Sequence, residues 1–220
     1  MNGVVSTMPG SGTTAERPHR TGSRFAKWPT ALTAAVYRAR VEITDRTFPP
    51  ALAALSGIEF PWAHDDASDD PAPSNIDYEP YEEFDSAEDT TGWIRAWTGN
   101  EELDGDAFRV FAQDGTGGLV TSWVVRPGRP LAEQPVAFFG SEGEVGVVAA
   151  DLGSFLWLLA GGVGPQEAVE FGSDSGVPHP ELRAVAEQYA GVAERTPAEV
   201  LAAARAEFPD FAETVQSWCR

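Results

Sequence analysis

The chain has 220 residues, 42% of them hydrophobic, enough to bury one substantial core as a single domain with tails. It carries 34 acidic residues against 15 basic ones, a formal charge of −19, and a field of that sign disfavours DNA or RNA as a direct ligand. A lone cysteine, Cys219, excludes an internal disulfide and a cysteine-built zinc site, and no apolar run approaches the roughly 18 residues of a membrane span.

The opening stretch MNGVVSTMPGSGTTAERPHR lacks the charged start and apolar block of a secretory signal, so the expected location is cytoplasmic. Residues 1–27 are rich in Gly, Ser, Thr and Arg and read as a flexible tail that cannot offset the entropy of ordering. Residues 30–46 are Ala-rich, with Leu32, Val36 and Tyr37 on a rough helical face, although Val41, Ile43 and Thr44 weaken the second half. In FPPALAALSGIEFPW, Pro49 and Pro50 suit a first helical turn, Leu52 and Leu55 face a core, and Gly57 stops the helix. Ile58, Phe60 and Trp62 then alternate as an extended segment would.

Residues 62–106 hold fifteen acidic residues and one basic one, Arg95, a net charge of −14. Residues 62–92 read as an acidic loop insertion, with Tyr78, Tyr81 and Phe84 spaced for a partly packed turn or short helix. Blocks of like charge are usually solvated loops. The functional alternative is a docking surface in which aromatics anchor and carboxylates steer a protein partner. Its contacts would be Asp77, Glu79, Tyr81, Glu82, Glu83, Phe84 and Asp85.

From Trp93 onward the pattern turns to period two. GWIRAWTG sets Trp93, Arg95 and Trp97 against Ile94 and Ala96. AFRVFAQ sets Phe108, Val110 and Ala112 against Arg109, Phe111 and Gln113, and GLVTSWVV continues with Val120, Ser122 and Val124 against Leu119, Thr121 and Trp123. QPVAFFG and GEVGVVAA follow, so five short strands between Gly, Asp and Pro turns predict an antiparallel meander. The C-terminal third is helical. Asp151 caps a helix carrying Leu152, Phe155, Leu156 and Leu159, and Gly161 and Gly162 end it. Trp157 lies off that stripe but in an apolar run, so it should be buried. A second helix starts at Pro180, and Thr196, Pro197 and Glu199 form a capping box for a third that runs to Glu207. Phe211, Val215 and Trp218 pack a last turn after Pro209.

The sequence DGTGG at 114–118 invites a phosphate-loop interpretation, which needs a following helix to aim its amides at the anion. A Val-, Thr- and Trp-rich strand follows instead, so Asp114, Gly115, Gly117 and Gly118 form a hairpin turn in which glycine supplies positive φ. No catalytic constellation stands out. His19, His64 and His179 lack a partner at metal-ligand spacing, residues 103–106 lack a calcium-loop series, and Ser141 between strands is no nucleophile elbow. Neither a metal nor a cofactor is expected.

The stretch FAQDGTGG…VTSWVVRPG…QPVAFFGSEGEVGVVAADLGSFLWLLAGG resembles the SUKH superfamily, which includes bacterial immunity proteins and a fungal regulator of cell-wall assembly. The pattern runs through a strand into Asp-Gly-x-Gly, the strand after it, PVAFFGSEGE, and a helix with Asp151 four residues before Phe155 and Leu156. The resemblance covers roughly residues 48–172, with Trp93, Trp97 and Trp123 at fold positions. It implies an α+β domain over residues 28–175, with a sheet of about five to six strands, antiparallel or mixed, packed on helices; residues 176–220, which the resemblance does not match, read as a helical extension packed on the same domain. It further implies a stoichiometric binder rather than an enzyme, one that neutralises a basic toxin domain, such as a nuclease or deaminase, by occlusion. The alternative is a regulatory adaptor of the cell-wall type with no toxin partner.

Overall fold

The computed structural model describes residues 46–60, 76–173 and 176–220. The tail at 1–27, the helix expected at 30–46 apart from Arg46, and the early acidic stretch with Trp62 and His64 lie outside the described residues. The first described helix, α1 (Pro50–Leu55), begins with the proline signal and buries Leu52 and Leu55. Proline is favoured there because its missing N–H belongs to a group the helix leaves unpaired anyway.

Five strands form one antiparallel sheet in chain order: β1 (Glu79–Pro80), β2 (Phe108–Gln113), β3 (Leu119–Trp123), β4 (Val136–Phe139) and β5 (Val145–Ala149). The expected α+β class is what the chain adopts. All four residues of β4 are buried, and they alternate between two separate cores. Val136 and Phe138 face the first, with Val120 and Val124, whereas Ala137 and Phe139 face the second, with Phe108. Antiparallel sheets often leave one face to water; here helices cover both.

Over the first face lies α3 (Leu152–Ala160), every residue of which is buried. Asp151 caps it by accepting from the Ser154 amide at 2.6 Å. Trp157 is buried as expected, donating its indole N–H to the Val192 carbonyl at 3.2 Å, with the Arg183 guanidinium 5.8 Å above its ring. A helix not anticipated from the sequence, α4 (Pro165–Glu170), follows, and α5 (Pro180–Tyr189) starts at the expected proline with the His179 ring accepting from Leu182 as its cap.

The second face is covered by a helix where the period-two pattern predicted a strand. Residues 93–97 belong to α2 (Ala87–Thr98). Ser86 starts it by accepting from the Asp89 amide at 3.0 Å, Glu88 and Asp89 sit in the first turn, and Gly99 ends it at φ 65°. Thr90, Ile94 and Thr98, four apart, are its buried residues. Trp93 and Trp97, one turn apart, both stand edge-on to Phe139, at 5.0 and 5.3 Å between ring centroids. Aromatic and β-branched residues prefer strands only weakly, and a cap plus a buried helical stripe outweighs them.

The C-terminal helices finish that face. The capping box opens α6 (Pro197–Glu207) at the predicted residues, and α7 (Phe211–Gln216) follows Pro209. Val200 and Leu201 of α6 join the first core and Ala204 the second, where Phe211, Val215 and Trp218 meet Phe108 and Phe139. The Asn100 amide group donates to the Trp218 carbonyl at 2.8 Å, and the Arg220 backbone N–H donates to Thr98 at 3.0 Å.

Strict alternation fails at two places, and both are bulges. The β2–β3 register jumps between Val110 and Ala112, and the β4–β5 register jumps between Val136 and Ala137. The extra residues are Phe111 and Val148. Hence Phe111 and Ala112, consecutive in sequence, both enter the first core, as do Val148 and Ala149. The expected opposition of Phe111 to Ala112 is thereby corrected.

The helical assignment of residues 93–97 makes a discriminating prediction. In a strand, residues 94 and 96 share a face; in a helix they do not. Ile94 is fully buried and Ala96 exposed. Ile94→Ala should cost about 2–4 kcal/mol in urea unfolding, and Ala96→Gln should stay within about 0.5 kcal/mol. Comparable losses at both positions would indicate a strand.

Candidate functional site

Five acids of the block, Asp77, Glu79, Glu82, Glu83 and Asp85, follow the edge of the sheet at β1. Beyond Tyr78 the chain pairs with β2 through only two residues, Glu79 opposite Gln113 and Pro80 opposite Ala112. The contact continues irregularly, with the Tyr81 amide donating to the Phe111 carbonyl at 2.9 Å and the Asp85 amide to the Val110 carbonyl at 3.1 Å. Proline and charge on so short an edge discourage addition of another strand. In place of the expected loop or short helix, residues 77–85 are therefore an edge segment laid along β2.

This placement sorts the candidate contacts. Glu79, Glu82 and Glu83 are exposed, while Asp77, Tyr81 and Asp85 are half-buried. Phe84 is not presented as an anchor. It is buried, edge-on to Phe48 at 5.0 Å, and belongs to the first core. The Tyr81 hydroxyl donates to Gln113 Oε1 at 3.1 Å, and Gln113 Nε2 donates to the Glu79 carboxylate. Burial, with Asp85 and Glu79 nearby, pushes the Tyr81 phenol up to about 12, so it remains a neutral donor. Burial also raises Asp85, as does Asp89, while the Arg46 charge opposes them.

Several acids of the block have work inside the fold. Asp77 accepts from the Gly115 amide at 2.8 Å, and Asp89 accepts from the Ser86 hydroxyl at 2.6 Å at the start of α2. Glu82 and Glu83 have no hydrogen bond or ion pair among the described residues. Ion pairs among the described residues join Arg126 to Glu207, Arg129 to Glu133, Arg183 to Glu187 and Glu194, and Arg220 to Glu102. Arg46 reaches the segment at Asp85, while Glu79, Glu82 and Glu83 face outward without an ion pair among the described residues.

The turn at 114–118 links β2 to β3, as its sequence predicts, and its geometry rests on one carboxylate. Asp114 Oδ1 accepts from the Thr116 amide at 2.9 Å, the Thr116 hydroxyl at 2.8 Å and the Gly118 amide at 2.7 Å. Positive φ is needed at Gly117, at 89°, but Gly118 is glycine for a different reason. A Cβ there would come within 2.7 Å of the Phe138 ring and 2.8 Å of Asp114 Oδ2. No phosphate-binding helix follows.

The turn also belongs to a carboxylate junction that the sequence did not single out. Asp77 reaches it from the edge segment, Asp114 from the turn, and Glu167 from α4. Burial raises Glu167 above the ordinary glutamate range, with the Asp77, Asp114 and Glu170 charges adding to it and a backbone hydrogen bond opposing. Asp77 is likewise raised by burial and by Asp114 and Glu79, against the Gly115 hydrogen bond. The one sequence signal was the short Gly-Pro-Gln-Glu start of α4, too brief to show helical periodicity.

A half-open groove of about 530 Å³ lies elsewhere, between α1, the start of α3 and the end of α5. Two of its polar side chains are engaged: Asp151 caps α3, and Arg126 pairs with Glu207 and donates to the Ala150 carbonyl at 2.8 Å. Among the described residues, no group of three or more His, Cys, Asp or Glu side chains is arranged to hold a metal ion, and no helix is long and apolar enough to cross a membrane. No protein-family model matches the chain, and neither the curated proteins nor the solved structures yield a match.

The role of Asp114 as an acceptor predicts that Asp114→Ala costs about 2–3 kcal/mol in urea unfolding, since each lost hydrogen bond is worth about 1 kcal/mol. Asp114→Asn retains an Oδ1 acceptor and should cost clearly less. Equal losses would mean that the charge, not the acceptor geometry, holds the turn.

Proposed function

We propose that this chain is a non-catalytic protein-binding module of the immunity type, which occludes a basic protein partner with its acidic sheet edge. The observation that carries the proposal is the exposed pair Glu82 and Glu83, unpaired among the described residues, beside Glu79 on an edge segment fixed to β2. Because the backbone on either side of them, at Tyr81 and Asp85, is hydrogen-bonded to a buried strand, the segment that carries these carboxylates is held in place. A fixed array of like charges accelerates association with a surface of opposite sign. Half-buried Tyr81 supplies a contact of low entropy cost at the centre of the array. The SUKH-like sequence pattern supports the immunity reading, with a toxin domain acting on nucleic acids as the partner, since its substrate cleft would be basic.

The reading predicts a division of labour between side chains. In surface-binding kinetics with a basic protein captured from the source organism's lysate, Glu82→Gln with Glu83→Gln should slow association severalfold. Raising salt should slow the wild type more than this variant. Tyr81→Ala should mainly speed dissociation. Phe84→Ala should instead destabilise the free protein by about 3 kcal/mol, as loss of a core aromatic does. Association indifferent to salt and to the double neutralisation would return the edge to a solvated role, and nuclease, esterase or peptidase turnover by the purified chain would replace binding with catalysis.

A further inference from the structure

The start of the described chain is itself seated on the acidic edge. Arg46 donates a guanidinium N–H to the Asp85 carbonyl. Two residues on, Phe48 stands edge-on to Phe84 at 5.0 Å and packs against the first core. The residues before this anchor carry the opposite charge to the rest of the molecule. Residues 17–40 hold Arg17, Arg20, Arg24, Lys27, Arg38 and Arg40, six of the chain's 15 basic residues and none of its 34 acidic ones. Glu42 and Asp45 separate this block from Arg46. Reach is not limiting. Arg40 stands six residues before Arg46, a span of up to about 20 Å, whereas Asp85 and Glu82, three residues apart, lie within about 11 Å of each other.

We propose that the basic block of residues 17–40 covers the acidic edge in the free chain, over Glu79, Glu82 and Glu83, so that a basic partner must displace it to bind. The displacement rests on the reading of the edge as a partner site; the contact does not. The occupant follows from charge and from where the tether ends. Exposed ion pairs are individually weak, but anchorage at Asp85 makes the contact intramolecular, at an effective concentration in the millimolar range for a short linker. The three glutamates are exposed and without an ion pair among the described residues. The groove between α1, α3 and α5 also opens near the tether, at Pro49, but its two carboxylates are taken. Glu133 pairs with Arg129, and Asp151 accepts from the Ser154 amide. A cover in cis lowers a partner's apparent affinity by the fraction of time the edge is open, and so reserves the edge for partners that bind it strongly.

Backbone amide chemical shifts of the full chain, with and without glutamine at the six basic positions (Arg38→Gln and its five counterparts), test the contact with no partner present. Removing the block's charge should move the amides of residues 79–85 more than any others outside the block. Raising the salt should move the wild-type amides in the same direction. Titration with an oligolysine peptide tests the displacement: the neutralised chain should bind it severalfold more tightly than the wild type. That gain should vanish when both chains also carry Glu79→Gln, Glu82→Gln and Glu83→Gln. Equal affinities, or a gain that survives those three changes and so reflects net charge alone, overturn the proposal. So do amides at 79–85 that are indifferent to the block. A response centred on Tyr189 and Val192 would seat the block in the groove, and one that strengthens with protein concentration would give the edge to a second copy; each also overturns it. Oligolysine that binds neither chain, while residues 79–85 still respond to the block, supports the contact and overturns the partner reading instead.

Discussion

Burial of strand β4 on both faces is the constraint on which the rest of the molecule depends. Val136, Ala137, Phe138 and Phe139 each lie at no more than 1% exposure, so neither side of the sheet can be left to water. The first face is met by α3, an apolar helix with no polar side to offer solvent. On the second, Phe139 stands at the centre of edge-on contacts to Trp93, Trp97, Phe108 and Phe211. Such pairs each add about 0.5–1.5 kcal/mol beyond their area. They bring α7, from the end of the chain, against α2 and β2. The C-terminal helices are accordingly a wall of the second core rather than an appendage, and α6 bridges the two cores through Val200, Leu201 and Ala204.

Much of this was legible from local chemistry. Asp151, Pro180 and the Thr196–Glu199 capping box mark helix starts because they satisfy amides that a helix leaves open, a local requirement that tertiary packing seldom changes. The Asp-Gly-Thr-Gly-Gly turn was legible for the same reason. What was not legible depended on partners distant in sequence. Trp93, Arg95 and Trp97 alternate like a strand, and only Phe139 across the second core shows that the tryptophans form one side of a helix. The two-residue β1 has no periodicity to detect, and the bulges at Phe111 and Val148 follow from pairing, not composition. Phe84 looked like an anchor because it sits among acids, but Phe48 covers it.

The functional residues divide along the same line. The acidic edge was visible as a block of charge, although its division into acids that cap or brace and acids that face outward requires the fold. Asp77 and Asp89 are of the first kind, and Glu82 and Glu83 of the second. The junction of Asp77, Asp114 and Glu167 could not be found from sequence spacing, because it is assembled from an edge segment, a turn and a six-residue helix. Both features share a foundation in β2. One end of it carries the turn, and the segment that carries the acids is paired along its side, so the rigidity of the sheet determines how firmly the charges are held.

The central structural claim is that both walls and the sheet form one cooperative unit, which native-state amide hydrogen exchange across a urea series tests most directly. The account predicts that buried amides of β4, α3 and α7 converge on a single opening free energy equal to that of global unfolding. A lower, urea-independent opening confined to residues 197–220 would contradict it, since the second aromatic core could then come apart while the sheet remained folded.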